Sequence, residues 1–200
     1  MTDNYQKIVH NNLKKLYNPL SADLAEALPS MREGDCFLFE AFGKQCRIRP
    51  EGISLGNSGK TGVLGILISL YALHAGPQLQ MLEPLKSFRD FPNATPYTGA
   101  FATHTEGILI PQVTKIEKAQ NRIMETLQGR EAGNLAGGDF SFLVRPLPKI
   151  SLCYIFYRPD EEFSASVTCL YSSNAPTFLP MDALADVGEY TSRTILALLD

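Results

Sequence analysis

The sequence has no tryptophan, only four cysteines and no excess of basic residues. Its 18 Lys+Arg stand against 21 Asp+Glu, so a net charge of −3 gives no electrostatic drive toward nucleic acid or an anionic membrane. The cysteines form no C-x-x-C pair and no Cys-His cluster, which excludes a locally encoded zinc site or redox dithiol. We therefore expect no nucleic acid and no membrane as partners, no bound metal, and buried, reduced thiols.

Long apolar runs are also missing. The longest uncharged stretch, Thr61 to Leu82, is interrupted at Gly76-Pro77, which leaves an apolar core of only Val63 to Ala75. As a helix this core rises about 20 Å, less than the roughly 30 Å of a bilayer interior. The N-terminal residues are polar and lack the apolar stretch of a signal peptide. The sequence therefore predicts a cytoplasmic protein.

The remaining patterns predict one α+β domain, residues 1–200, with an antiparallel sheet of about five to six strands packed against several helices. Helical spacing predicts two short helices in 3–28, a buried apolar helix over 62–75, a possible short helix around 97–104 and an amphipathic helix after Pro111. Alternation predicts a small meander over 36–55. Within 139–200 we expect three strands, near 139–145, 149–157 and 164–171, and a last helix over 182–198. The glycine-rich segment 129–138 is interpreted as a mobile loop. It connects the strands and helices of 36–128 to the strands and helix of 139–200.

The segment Gly56-Asn57-Ser58-Gly59-Lys60-Thr61 follows a predicted strand and opens a predicted helix, as a P-loop does. A P-loop needs four residues between its glycines to wrap a phosphate, and here only two intervene. Nucleotide hydrolysis is therefore disfavoured. Free N–H groups at the helix start, helped by Lys60, would still suit a carboxylate or phosphate. The alternative is a flexible turn that caps the helix.

Acidic residues supply the catalytic candidates. Asp160, Glu161 and Glu162 lie at the tip of a predicted hairpin, and Asp139 follows Gly137-Gly138. Such carboxylates suit proton transfer, although hairpin tips are often charged only for solubility. The H-x-E spacing of His104-Thr105-Glu106 is that of zinc deaminases, but no P-C-x-x-C follows to complete the ligands.

The two cysteines of the last hairpin offer one further prediction. If the chain turns symmetrically about Glu161, Cys153 lies directly opposite Cys169. Cross-strand Cβ atoms are about 4.5–5.5 Å apart, slightly more than a disulfide spans. We expect the two thiols to pack as small apolar groups, and whether they ever pair is left open.

Three groups of residues keep a recognisable order along the chain: Ser87-Phe88-Arg89-Asp90-Phe91-Pro92 with Tyr97 and Phe101; Gly138-Asp139 through Pro148 to Asp160-Glu161-Glu162-Phe163; and Ser172-Ser173-Asn174-Ala175-Pro176 with Leu179-Pro180 and Asp182. Over about Cys36 to Leu199 this order resembles domain-of-unknown-function family 3786, an anaerobe-associated prokaryotic family. Some relatives carry an added cysteine-rich iron–sulfur segment, which implies a link to anaerobic redox or corrinoid metabolism. This chain lacks those cysteines, has Ser172 where relatives are expected to carry an acidic residue, and gains no reaction or cofactor from the family name.

These observations leave three functional hypotheses. The first is a noncatalytic module that binds a small ligand, a cofactor or a protein partner in a cleft between segment 87–106 and the C-terminal sheet, with Arg89, Tyr97 and Phe101 as candidate contacts and Lys60 as a further one. The second is an enzyme in which Asp139 or Asp160-Glu161-Glu162 works with Arg89 on a small anionic substrate. The third is a homodimer formed through an apolar patch beside helix 62–75.

Overall fold

The computed structural model describes residues 2–199. The N-terminal part consists of two helices followed by a four-stranded antiparallel meander in the order β1-β2-β3-β4. Its elements are α1 (Thr2–Leu16), α2 (Leu24–Ala27), β1 (Met31–Glu33), β2 (Cys36–Ala41), β3 (Lys44–Arg49) and β4 (Gly52–Leu55). Alternate side chains of β2 to β4, including Phe37 and Ile48, are buried, as the alternating sequence pattern predicts.

The middle of the chain is helical and irregular. It contains α3 (Gly62–Leu73), the two-residue strand β5 (Lys86–Ser87), α4 (Thr98–Phe101), a π-helix (Ala102–Gly107) that continues α4, and α5 (Val113–Thr126). Helix α3 is the predicted apolar helix, and it contacts α1, β4 and the C-terminal helix Met181–Ala197. None of its residues is fully exposed, so this helix presents only half-buried side chains to any partner. No described helix is long and apolar enough to cross a bilayer.

The C-terminal part forms a second antiparallel sheet in the order β5-β9-β8-β7-β6 and a long helix. Its elements are β6 (Arg130–Glu131), β7 (Phe140–Leu147), β8 (Ile150–Tyr157), β9 (Ser166–Tyr171) and α6 (Met181–Ala197). The predicted α+β class with antiparallel pairing is confirmed. The strands are divided between two sheets because the meander pairs only within itself, whereas β7 to β9 recruit β5 and β6 at their edges.

The main apolar core contains side chains from both sheets. One face of the C-terminal sheet packs on α6, and two buried tyrosines fix the helix there. Tyr171 Oη donates to the carbonyl of Leu184 at 2.8 Å, and Tyr154 Oη lies 2.9 Å from Ser192 Oγ. Because these buried hydroxyls are satisfied by α6, they hold the helix at one position on the sheet.

The glycine-rich segment 129–138 is not an unbroken loop. Its start forms β6, which pairs with Phe142 and Leu143 of β7. Its end is held at Gly138, which has φ +85° and would place a Cβ 2.8 Å from the Phe156 carbonyl. A side chain does not fit at this position, so glycine is required where the chain turns into β7.

The predicted juxtaposition of Cys153 and Cys169 is wrong. Cys153 pairs with Leu170, and Cys169 pairs with Tyr154. The hairpin is therefore centred between Glu161 and Glu162 and not on Glu161. This changes the pairing of Cys153 by one residue, and a one-residue change in register places a side chain on the opposite face of the sheet. All four cysteines are free and buried, and Cys153 and Cys169 lie in separate apolar clusters.

Candidate functional site

A cavity of about 390 Å³ lies where the sequence predicted a cleft, between the irregular segment and the C-terminal sheet. We call it the 87–106 cleft. Arg89, Phe101 and Glu106 contribute to one wall, and Thr168 of β9 contributes to the other. The structure therefore brings together two of the predicted ligand contacts, Arg89 and Phe101, and adds a carboxylate that the functional hypotheses had not included.

The π-helix places Glu106 against the sheet. Within it, the carbonyl of Thr105 accepts a hydrogen bond from Ser192 Oγ of α6 at 2.8 Å. Glu106 then reaches the edge of β9, where its Oε1 accepts the backbone N–H of Cys169 at 2.9 Å. Since β5 pairs only with the last two residues of β9, this carboxylate replaces a missing strand at that edge.

The two charges of the cleft differ in their environments. Glu106 is half-buried, and this burial raises the pKa of its carboxyl, while the Cys169 N–H and the positive charge of Arg89 act in the opposite direction. Arg89 is exposed and forms no hydrogen bond or ion pair with residues 2–199. Its guanidinium and the second oxygen of Glu106 are therefore available to a bound molecule.

The apolar wall of the cleft is a stack of aromatic rings. Phe88 and Phe101 lie parallel, with centroids 4.4 Å apart and 9° between their planes. Both rings also contact Tyr171, at 6.0 and 5.8 Å. Packing on both sides holds Phe101 in place, so the wall is formed before any ligand binds. Tyr97, the third predicted contact of this region, is half-buried against the core and does not line the cleft.

Two of the predicted acidic candidates, Asp139 and Asp160, line a different, open concavity of about 520 Å³ together with Arg158. Asp139 Oδ2 accepts the backbone N–H of Arg158 at 2.6 Å, and the Arg158 guanidinium forms an ion pair with Glu117. Asp160 Oδ1 accepts the N–H groups of Glu162 and Phe163, at 2.9 and 2.7 Å.

These contacts make Asp160 the residue that closes its own turn. Glu161 and Glu162 are exposed and do not line the concavity. Arg89 lines a different cavity, so the structure does not bring Arg89 together with Asp139 or Asp160. The predicted combination of these acids with that guanidinium is not formed.

Lys60 lies in a third place, on a cavity of about 330 Å³ between α1 and the start of α3. The loop before it closes on itself through two hydrogen bonds between Leu55 and Ser58, and the Lys60 N–H donates to Ser58 Oγ at 3.1 Å. The loop is thus a tight turn that closes on itself, and the Lys60 N–H is already used within it. No group of three or more His, Cys, Asp or Glu that suits a metal ion occurs within residues 2–199.

Comparison with known families matches residues 21–194 to the family described as a domain of unknown function, DUF3786. The chain belongs to the DUF3786 family. The match covers most of the chain and includes every residue of the 87–106 cleft, so the cleft lies in the part shared with DUF3786. The family description names no activity. No curated protein and no solved structure matches this chain.

Glu106 is the residue of the DUF3786 cleft that sequence reasoning left without a role. It was noted only as the acidic half of an H-x-E spacing. Its position depends on a π-helix, and no periodic sequence pattern predicts such a helix. It also depends on the unpaired edge of β9, more than sixty residues away in the sequence. An unpaired edge N–H is a property of the folded sheet and leaves no local signal.

Proposed function

We propose that this DUF3786 protein is a binding module that takes a small ligand into the 87–106 cleft. One observation carries the proposal: the unpaired guanidinium of Arg89 and the half-buried carboxylate of Glu106 line the same cavity, against an aromatic wall. A concave site with a few polar groups on an apolar surface is the usual form of a small-molecule site.

The chemistry of the wall defines the class of ligand. A guanidinium binds carboxylates and phosphates through charge-assisted hydrogen bonds. Glu106 has one oxygen on the Cys169 N–H and one oxygen left to accept from an amine or N–H donor. Phe101 offers an apolar surface. A zwitterionic, amino-acid-like metabolite satisfies all three groups at once.

The size of the cleft agrees with this class. A volume of about 390 Å³ is near the lower end of the roughly 300–1,000 Å³ of known ligand pockets. It accommodates a small metabolite and favours it over a corrinoid or another tetrapyrrole. The cytoplasmic location and the link to anaerobic redox or corrinoid metabolism rest on the sequence and the resemblance, and they indicate which metabolites to include in a screen.

A thermal-shift screen tests the proposal. The panel contains the common amino acids, and for each the amine without its carboxylate and the acid without its amine. We expect at least one zwitterion to raise the melting temperature, and both of its truncated analogues to raise it less. Corrinoids, nucleotides and metal ions complete the panel.

Two arginine variants supply the matched comparison. Arg89→Gln removes the guanidinium from the cleft, whereas Arg49→Gln removes an exposed guanidinium from β3 of the other sheet. We expect R89Q to abolish the shift and R49Q to retain it. The absence of any shift across the panel, or an equal shift in both variants, contradicts the proposal.

Acid–base catalysis is the second candidate, because burial raises the pKa of Glu106 beside a cation that would hold an anionic substrate. Incubation of a bound amino acid in D₂O, followed by proton NMR of its α-position, separates the two functions. A binding module leaves the α-proton in place. An enzyme of this kind exchanges it, and Glu106→Gln stops the exchange.

A further inference from the structure

A further cavity, of about 610 Å³, lies between α2 and the segment that follows α3. It shares no lining residue with the 87–106 cleft. Its walls are mainly apolar and include Leu24, Ala27, Pro77 and Leu79, and one basic residue, Lys149, also lines it. We call it the Lys149 cavity.

Lys149 is a buried cation without a counter-ion. It lies in the turn between β7 and β8 and is only 4% exposed. Its Nζ donates to the carbonyls of Gly76 and Gln78, at 2.8 and 2.9 Å, and lies 5.6 Å from the centre of the Phe178 ring. The third N–H finds no acceptor among residues 2–199, and no carboxylate in this part of the chain forms an ion pair with the ammonium.

A buried charge is costly unless it is paired, so this ammonium favours an anion from outside. Burial also lowers the pKa of Lys149, because it removes water from the charged form. Asp23 and Glu26 line the same cavity but are exposed, where water and salt screen their charges. They do not neutralise Lys149.

Part of the segment 77–81, which we call the strap, forms the outer wall of the cavity. The side chain of Asn174 holds this strap in place. Asn174 Nδ2 donates to the Leu79 carbonyl at 2.9 Å, and Asn174 Oδ1 accepts the Met81 N–H at 2.8 Å. Fixed in this way, Leu79 remains 80% exposed at the cavity. An apolar side chain held at the rim of an apolar cavity gains from a ligand that covers it.

We propose that the Lys149 cavity binds a small amphipathic carboxylate, with its carboxylate on the Lys149 ammonium and its apolar chain along Leu24, Ala27 and Leu79. This is a second site for a different ligand class from that of the 87–106 cleft. The cavity volume lies within the range of small-molecule sites.

Calorimetric titration of the full chain with octanoate, 1-octanol and octylamine tests the assignment. We expect saturable binding of octanoate at one site. The alcohol and the amine should bind at least about tenfold more weakly, because each lacks the charge-assisted hydrogen bond to Lys149. No saturable binding of octanoate, or equal binding of octanoate and octanol, overturns the proposal.

Variants locate the site. Leu79→Asp places a charge on an exposed side chain that lines the cavity, and it should weaken octanoate binding at least about tenfold. Met81→Asp is the control, since Met81 is 57% exposed on the same strap but does not line the cavity. Equal octanoate affinities of L79D and M81D refute the site. Lys149→Met should abolish the preference for the acid over the alcohol, and the Leu79 comparison stands even if that variant fails to fold.

The variant R89Q separates this proposal from the first. It removes a contact of the 87–106 cleft and should leave octanoate binding unchanged. Loss of octanoate binding in R89Q contradicts the assignment to the Lys149 cavity.

Discussion

Replacement of Gly188 by alanine should destabilise the protein, although it puts a better helix former inside α6. A Cβ at this position would lie 2.6 Å from Phe101 Cε2, 2.7 Å from Tyr171 Oη and 2.9 Å from Thr105 Oγ1. Tyr171 cannot easily give way, because its hydroxyl is hydrogen-bonded to α6 at 2.8 Å. The absence of a side chain is thus what allows α6 to approach the π-helix and the wall of the cleft.

The expected change in the free energy of unfolding is the balance of one gain and one cost. Alanine in place of glycine gains about 1 kcal/mol of helix propensity. Insertion of a methyl group into a packed core costs about 1–3 kcal/mol, and three contacts below 3 Å put this site at the upper end. We expect a net loss of about 2 kcal/mol, which lowers the melting temperature by about 4–8 °C for a chain of this size.

Urea and thermal denaturation followed by circular dichroism measure this loss. Gly99→Ala is the matched control, since Gly99 lies in α4 and a Cβ there meets nothing within 4 Å. We expect G99A to be as stable as the wild type or slightly more stable. A G188A variant with wild-type or higher stability would refute the close packing of α6 against Phe101 and the π-helix.

Three further predictions concern single contacts. Because burial raises the pKa of Glu106, the folded protein holds this proton more tightly than the unfolded chain, and stability falls as pH rises through the folded-state pKa. Glu106→Gln should therefore gain stability relative to the wild type between acidic and neutral pH, and a constant difference in urea denaturation contradicts this. Asn174→Ala removes two hydrogen bonds of the strap, so a loss of about 1–3 kcal/mol and faster deuterium exchange of the Met81 amide are expected; unchanged protection of that amide would show that Asn174 does not hold the strap. Burial raises the pKa of Cys153 to about 11, so this thiol should resist thiol reagents in the native protein, and a Cys153–Cys169 disulfide in peptide mapping after oxidation would contradict the opposite-face register.

The longer elements could be predicted because their patterns are local. Helix α5 follows from the helical spacing of Val113, Ile116 and Ile123, all of which are buried. Strands β7, β8 and β9 follow from apolar runs bounded by turn residues, and the predicted bounds differ from the structure by a few residues. The local pattern of these segments is therefore enough to predict their secondary structure.

The sheet edges and the hairpin register could not be predicted in the same way. Strands β5 and β6 have two residues each, too few for any period to appear. The position of Cys169 depends on the conformation of the loop between β8 and β9. A shift of the hairpin centre by half a residue changes the strand pairing by one residue, and so the face on which a side chain lies. Such features are decided by packing between distant segments.

The same distinction between local and long-range features applies to the residues of the candidate site. The location of the cleft and the roles proposed for Arg89 and Phe101 came from the sequence, because aromatic and charged residues in an irregular segment indicate a binding surface. Glu106 was missed because its partner, the N–H of Cys169, is free only in the folded sheet. Lys149 was missed because nothing in a turn sequence shows that its side chain becomes buried.

The Cys169 amide offers the most direct test of the proposed binding function, because its N–H donates to Glu106 inside the cleft. Its nitrogen–proton NMR signal should shift saturably when a zwitterionic metabolite from the screen is titrated, together with that of neighbouring Thr168. The same titration of R89Q should leave both signals in place. Shifts confined to residues around Asp139 and Asp160, or identical shifts in R89Q, would contradict the assignment of the ligand to the 87–106 cleft.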